Sequence, residues 1–155
     1  RQEGTTAVET KLDNTLQALT QALEEVNRLR ESVARNSSKD MLRMVMAISE
    51  QVILRTLEVK PEIVLSLIEN ALQASVQSDS YNIRVSPQDL ELVNQQKPLF
   101  LASISGLKNI VINADPAITP GGCRVESDLG DVDATIETQL DEIRKVLTGA
   151  IAGSD

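Results

Sequence analysis

The side chains of this chain that could do chemistry are few, and they gather toward its C-terminal end. Asp128, Asp131 and Asp133 place three carboxylates within six residues beside Gly130, and oxygen-rich loops of that kind can hold calcium or magnesium. No glutamate closes such a loop at its twelfth position, and Asp and Gly are ordinary turn formers. The segment Asp128-Leu129-Gly130-Asp131 is therefore read as a tight turn followed by carboxylates at a helix start, with no metal expected. Pro120-Gly121-Gly122-Cys123 has the glycines of a phosphate-cradling loop, but a Walker-type loop needs Lys and then Ser or Thr after its last glycine, and Cys123-Arg124 follows instead. The glycines suit a sharp turn with positive φ leading into a strand. Cys123 itself sits in an alternating apolar run, which fits a small buried hydrophobe better than a reactive thiol.

The chain contains no histidine. That removes the commonest general acid/base and the commonest metal ligand, so Ser-His, Cys-His and zinc-type sites cannot be built from it. Carboxylates, lysines, one tyrosine and one thiol are all that remain for catalysis, and Tyr81 lies on an alternating segment where packing explains it. The expectation is a protein that is no enzyme and needs no cofactor.

The positioning elements follow from composition and period. The 155 residues suffice for one modest domain plus an extended element, and 41% hydrophobic against 25% charged residues is a globular balance. Aromatic residues make up only 1%, so the core must be aliphatic and base-stacking platforms are missing. A formal net charge of -8 repels phosphate backbones and anionic bilayer surfaces, which argues against nucleic acid as a partner. No apolar run reaches the roughly 18 residues of a membrane span. A single cysteine forms no internal disulfide, in keeping with a reducing cytoplasm. The chain opens on Arg1 and reads as a piece of a longer protein.

Val8, Leu12, Leu19, Ala22, Val26, Leu29 and Val33 recur at steps of three, four or seven, close to a heptad seam. Thr15 is its one polar position, and Leu16 and Leu23 widen the stripe. Glu24, Glu25, Arg28, Arg30 and Glu31 suit the opposite, solvated face. The same stripe would serve a helix folded back on its own domain; association between two copies is the expected use, over a stalk of residues 1–38. Asn36-Ser37-Ser38 are cap types, and a new apolar-rich helix through Leu42, Val45, Met46, Ile48, Val52 and Ile53 is expected from Lys39 to Leu57.

Pro61 suits the first turn of the next helix, with Ile63, Val64, Leu67, Ile68, Ala71 and Leu72 as its buried stripe, and these two helices should pack as a pair. From Ser80 the period changes to two through Tyr81, Ile83 and Val85, a first strand. Ser86-Pro87-Gln88-Asp89 should start another helix, which Pro98 should break or kink. Ile110 to Ile112 and Cys123 to Ser127 read as further strands, the last in a hairpin, before a closing helix striped by Ile136, Leu140, Ile143 and Leu147. The fold expected is α+β: a long N-terminal helix, coiled-coil-like, then a compact α/β domain over residues 39–155 with about three strands flanked by helices.

The segment Asp115-Pro116-Ala117-Ile118-Thr119-Pro120-Gly121-Gly122-Cys123-Arg124-Val125-Glu126, followed by Gly130, Asp133-Ala134-Thr135-Ile136 and Gln139-Leu140, resembles the flagellar assembly protein FliH family. It is similar also to the stator proteins of virulence type III secretion and, more distantly, to the peripheral-stalk E subunit of vacuolar-type ATPases. The resemblance implies a cytoplasmic homodimer, peripherally associated with a membrane-embedded export apparatus. Its C-terminal domains would hold the flagellar export ATPase (FliI-like), restrain hydrolysis and deliver the ATPase to the export gate. The family's extreme N-terminus, which meets the rotor ring, would lie outside this chain.

Candidate ATPase contacts are Glu137, Asp141, Glu142 and Arg144 on the last helix and Met41, Met44 and Met46 upstream, because methionines adapt to helix-binding grooves. For the methionines, ordinary core filling is the competing reading. The motif glycines and prolines are expected to set the hairpin's geometry.

Overall fold

From Thr5 to Lys60 the sequence holds neither glycine nor proline, so nothing local ends a helix once it has begun. In the computed structural model, which describes residues 2–153, α1 runs unbroken over Gln2–Val59. The break expected at Asn36-Ser37-Ser38 is absent, and no separate helix starts at Lys39. Asn and Ser cost a helix interior only about 0.5 kcal/mol each relative to Ala, too little to end it when helix formers continue on both sides. Pro61 does end it, by disfavouring helical backbone at Lys60.

By internal contacts the chain divides into two units between Met44 and Val45. In the first, α1 is exposed nearly throughout, with only Ser32, Ser38 and Leu42 half-buried. The second holds the last turns of α1 together with α2 (Ile63–Ala74), β1 (Ser80–Val85), α3 (Leu90–Ser103), β2 (Asn109–Ala114), β3 (Cys123–Ser127), β4 (Gly130–Ala134) and α4 (Ile136–Ala152). The sheet order is β2-β1-β3-β4. β1 and β2 are parallel, joined by the α3 crossover, and the β1–β3 and β3–β4 pairs are antiparallel. The α+β class expected from sequence is the one found, with four strands rather than three. Gly130-Asp131-Val132-Asp133-Ala134 is poor strand material by propensity, and it is strand only because the hairpin pairs it with β3.

α2 and α3 pack on one face of this sheet. Val64, Ile68, Ala71 and Leu72 of α2 and Val93 and Phe100 of α3 meet Tyr81, Ile83, Val85, Ile110, Cys123 and Val125 of the strands in a single cluster. Each fully buried aliphatic chain there contributes about 1.5–3 kcal/mol, and together they replace the aromatic core this composition cannot supply. α2 packs against the sheet and α3 rather than as a pair with α1. The Tyr81 hydroxyl donates to the Val76 carbonyl (2.8 Å) and accepts from the Ser78 amide (3.0 Å), so its role is to close the α2–β1 connection.

α3 opens three residues later than its cap types suggested. Ser86 to Asp89 form a turn in which the Asp89 amide donates to the Ser86 carbonyl (3.0 Å), and the Val93 amide then donates to the Asp89 carbonyl (2.9 Å). Pro98 lies inside α3 and does not end it; burial of Phe100 in the core holds the turn beyond.

The unbroken α1 yields a sign test. Asn36→Ala and Ser37→Ala should each stabilise the helix by about 0.5 kcal/mol and so raise the thermal midpoint slightly, whereas at a true helix start the same changes would cost about 1 kcal/mol and lower it. Thermal melts followed by circular dichroism distinguish the two.

Candidate functional site

The motif segment is a loop whose side chains are spent on its own backbone. Asp115 leaves β2 with its amide donating to the Val85 carbonyl (2.8 Å), and its carboxylate accepts from the Ala117 amide (2.9 Å). Ile118 is buried, and the Gly122 amide donates to the Thr119 carbonyl (3.1 Å). Gly121 adopts φ of 93°, a left-handed conformation open to glycine, and its amide donates to the buried carboxylate of Asp89 at 2.7 Å. A Cβ on Gly121 would stand 2.7 Å from the Leu57 side chain. One on Gly122 would stand 3.0 Å from Thr135 Cα and 3.1 Å from the Ile136 amide nitrogen. The two glycines therefore let the loop pass between the end of α1 and the start of α4.

The second half of the motif builds the start of α4. Thr135 is its N-cap, accepting from the Thr138 amide (3.4 Å). Asp133 accepts from the Thr135 amide (3.0 Å) and hydroxyl (2.7 Å), and the Gln139 side-chain amide donates to the carbonyls of Ala134 (3.0 Å) and Thr135 (3.4 Å). The Thr119 hydroxyl bonds to the Glu137 carboxylate, tying loop to helix. Burial pushes the Asp133 carboxyl upward, but the Thr135 and Thr138 hydrogen bonds and the charge of Arg124 together outweigh it and hold its pKa below the ordinary carboxylate value. Among the described residues no cluster of three His, Cys, Asp or Glu is placed to hold a metal ion.

Cys123 is fully buried, and burial, reinforced by the charge of Asp133, pushes its thiol up to about 12. It is a protonated core side chain at neutral pH, without the thiolate that nucleophilic chemistry requires. Val125, Ala134 and Leu140 are likewise buried.

The uncovered face of the sheet is polar. Arg84 stands opposite Arg124 across the β1–β3 ladder, a like-charge pairing offset by carboxylates: Glu126 lies 3.3 Å and Asp115 3.8 Å from the Arg84 guanidinium. Asn113 donates to Asn82 (2.7 Å), and Asn82 donates to Glu126 (3.3 Å).

The apolar side chains offered to solvent lie elsewhere. Val8, Leu12, Leu16, Leu19, Leu23, Val26, Leu29 and Val33 are exposed by 49–67%, all on one helix, and Ala22 is exposed too. The Thr15 hydroxyl donates to the Lys11 carbonyl (2.8 Å), so the polar seam position is satisfied within the helix. Glu25 and Arg28 pair at 2.6 Å. Of the candidate contact methionines, Met41 and Met44 are exposed, whereas Met46 is buried in the domain and so is not presented to a partner. Glu137, Asp141, Glu142 and Arg144 are all exposed, Asp141 pairing with Lys145 at 3.1 Å.

Val45, Ile48 and Val52 on α1 and Ile143 on α4, named from sequence as members of apolar helix stripes, are exposed in the structure, and so is Val146, which sequence reading missed. Their 3–4 spacing is that of any buried stripe, and only the absence of a neighbouring element in the structure distinguishes them. No described helix is long and apolar enough to cross a membrane.

Fold and loop together define an α+β protein in which one long amphipathic helix precedes a four-stranded mixed sheet, with the loop before β3 organised to seat the last helix. The chain belongs to the FliH family: the family model described as flagellar assembly protein FliH matches residues 13–143. It is 33% identical over 116 residues to the flagellar assembly protein FliH of Borreliella burgdorferi, covering 75% of this chain and 38% of that protein. To FliH of Escherichia coli K12 it is 31% identical over 104 residues, 66% of this chain and 44% of the relative. To the probable flagellar assembly protein FliH of Bacillus subtilis it is 27% identical over 120 residues, 77% and 57%. The match thus spans less than two thirds of each relative's own length.

Two outcomes follow from the loop. Gly122→Ala should destabilise the domain by about 1–3 kcal/mol, since the contact it creates is with backbone that cannot swing away; urea unfolding measures it. A carboxylate held below its ordinary value stabilises the fold at pH above that value and loses the contribution as pH falls through the lowered one. Asp133→Asn, which keeps the acceptor oxygen but not the charge, should therefore be less stable than the parent at pH 6. The gap should narrow below about pH 4, as unfolding midpoints taken down the pH range will show.

Proposed function

We propose that this chain is the paired, ATPase-holding part of a flagellar export adaptor. Two copies associate along the Val8–Val33 face of α1. The domain of residues 39–155 binds the N-terminal segment of the flagellar export ATPase (FliI-like), restrains hydrolysis and delivers the ATPase to the export gate. The chain acts in the cytoplasm, peripheral to the membrane-embedded apparatus, and the ATP chemistry belongs to the partner.

One observation carries the reading: eight large aliphatic side chains stand exposed by about half or more along one face of an uninterrupted helix. A contiguous apolar row of that length is far more than scattered surface leucines and is typical of a surface that another helix covers. Covering the exposed half of each such side chain contributes on the order of 1 kcal/mol. The relatives named as flagellar assembly proteins favour flagellar over virulence export. The protonated, buried Cys123 supports a binding protein rather than a thiol enzyme.

Light scattering should return twice the chain mass, and Leu19→Glu combined with Val26→Glu should return a single chain with the α+β domain still folded. Co-purification with the hexameric export ATPase should occur for the parent. A monomeric parent, or a chain that the ATPase ignores, would refute the proposal, and association only with a different helical chain would instead indicate a peripheral-stalk subunit.

A further inference from the structure

The sheet has two edges, and only one of them is protected. β4 carries Asp131 and Asp133, charges that discourage another strand from pairing there. β2 is Asn109-Ile110-Val111-Ile112-Asn113-Ala114: no charge, no proline, no glycine, and a register with β1 that runs without a bulge from Asn109 to Ala114. Val111 is 46% exposed on the open face. An uncharged, regular, aliphatic edge is a template for strand addition unless something covers it.

The sequence of this edge favours a copy of itself. Asn-Ile-Val-Ile-Asn is a palindrome centred on Val111, so a second copy laid antiparallel about that residue sets Val against Val, Ile against Ile and Asn against Asn. We infer that β2 pairs antiparallel with β2 of a second copy about a twofold axis at Val111, joining two four-stranded sheets into one of eight strands.

The register follows from side-chain chemistry. With the axis at Val111, Val111 faces its own copy, Ile110 faces Ile112 and Asn109 faces Asn113. Ile110 and Ile112 lie on the helix-covered side of the sheet and Asn109, Val111 and Asn113 on the open side, so every pair shares a face. An axis at Ile110 would set Asn109 against Val111 and Lys108 against Ile112; one at Ile112 would set Val111 against Asn113. Only the central register matches apolar with apolar and amide with amide. The amide chain already running from Glu126 through Asn82 to Asn113 continues across the axis into Asn109.

A strand of this length spans only about 20 Å, and the contact falls short of the roughly 1,000 Å² that a stable interface needs by itself. It therefore forms between copies already held close, and in that respect it rests on the pairing of the α1 faces, which supplies the local concentration.

Disulfide trapping in the whole chain tests the register, because the native Cys123 is buried and contributes no background. Residues 109 and 113 of one strand lie about 13 Å apart, too far to bridge within a chain, while directly paired residues lie about 4.5–5.5 Å apart. Under mild oxidation, the double variant Asn109→Cys/Asn113→Cys and the single variant Val111→Cys should form covalent dimers at least tenfold faster than Asn109→Cys alone, Asn113→Cys alone or the turn control Leu129→Cys. All these positions are exposed, and circular dichroism verifies each fold. Equal rates across the set, or no bond in the double variant, overturn the edge pairing. Light scattering on the parent separates the two proposals: a dimer without the 109–113 bond overturns β2 pairing alone, and a monomer without it overturns both.

Discussion

A single buried hydrogen bond joins parts of the domain that are far apart in sequence. The carboxylate of Asp89, at the opening of α3, accepts from the Gly121 amide in the middle of the motif loop. A bond to an ionisable carboxylate away from water is among the stronger ones available, and leaving either group unmatched would cost the full desolvation of that group. Its geometry dictates the rest. It holds Gly121 in a left-handed turn, the turn brings Leu57 of α1 to where a Cβ would stand, and the next residue presses against the backbone of Thr135 and Ile136. The end of α1, α3, β3 and α4 thus meet at one loop.

Where one local force dominates, the sequence discloses the structure. The stripe of α2, the alternation of Tyr81, Ile83 and Val85, the bounds of β3 and the presence of a closing helix from Ile136 were all legible, because a single period dominates each of them; the Thr135 cap was not, and the aspartates read as a helix start lie in β4. The errors fall where local and tertiary terms compete. Asn36-Ser37-Ser38 has the chemistry of a cap, yet helix propagation on both sides outweighs it. Pro98 carries the cost of a missing donor, yet core packing beyond it keeps the turn. β4 is too rich in Asp and Gly to read as strand, and only its partner β3 makes it one.

The candidate surfaces were legible in outline only. A helical stripe reveals that a face is apolar and leaves open whether the chain itself covers it, so Val45, Ile48 and Val52 read like Met46 although only Met46 is buried. Sheet edges are hidden still more deeply. The Asn109–Asn113 palindrome is visible to any reader, but its meaning depends on β2 being an outer strand, and that depends on the parallel α3 crossover placing β2 on the far side of β1.

The division of labour between motif and surface has a physical cause. A turn at φ of 93°, a glycine within 3.0 Å of another backbone and a carboxylate matched to one amide each admit very few residue types, so the loop spells out a distinctive motif although it acts on the domain's own geometry. A helix face that associates by burying aliphatic area is constrained first in its period, and exchanging Val, Leu and Ile along it changes packing and oligomer preference without abolishing the apolar stripe. The loop is therefore narrowly specified residue by residue, while the exposed α1 face is specified mainly by its period, and the family match over residues 13–143 takes in both. The loop's effect on the surface is indirect: it fixes where α4 starts, and with it where the exposed Glu142, Arg144, Ile143 and Val146 stand.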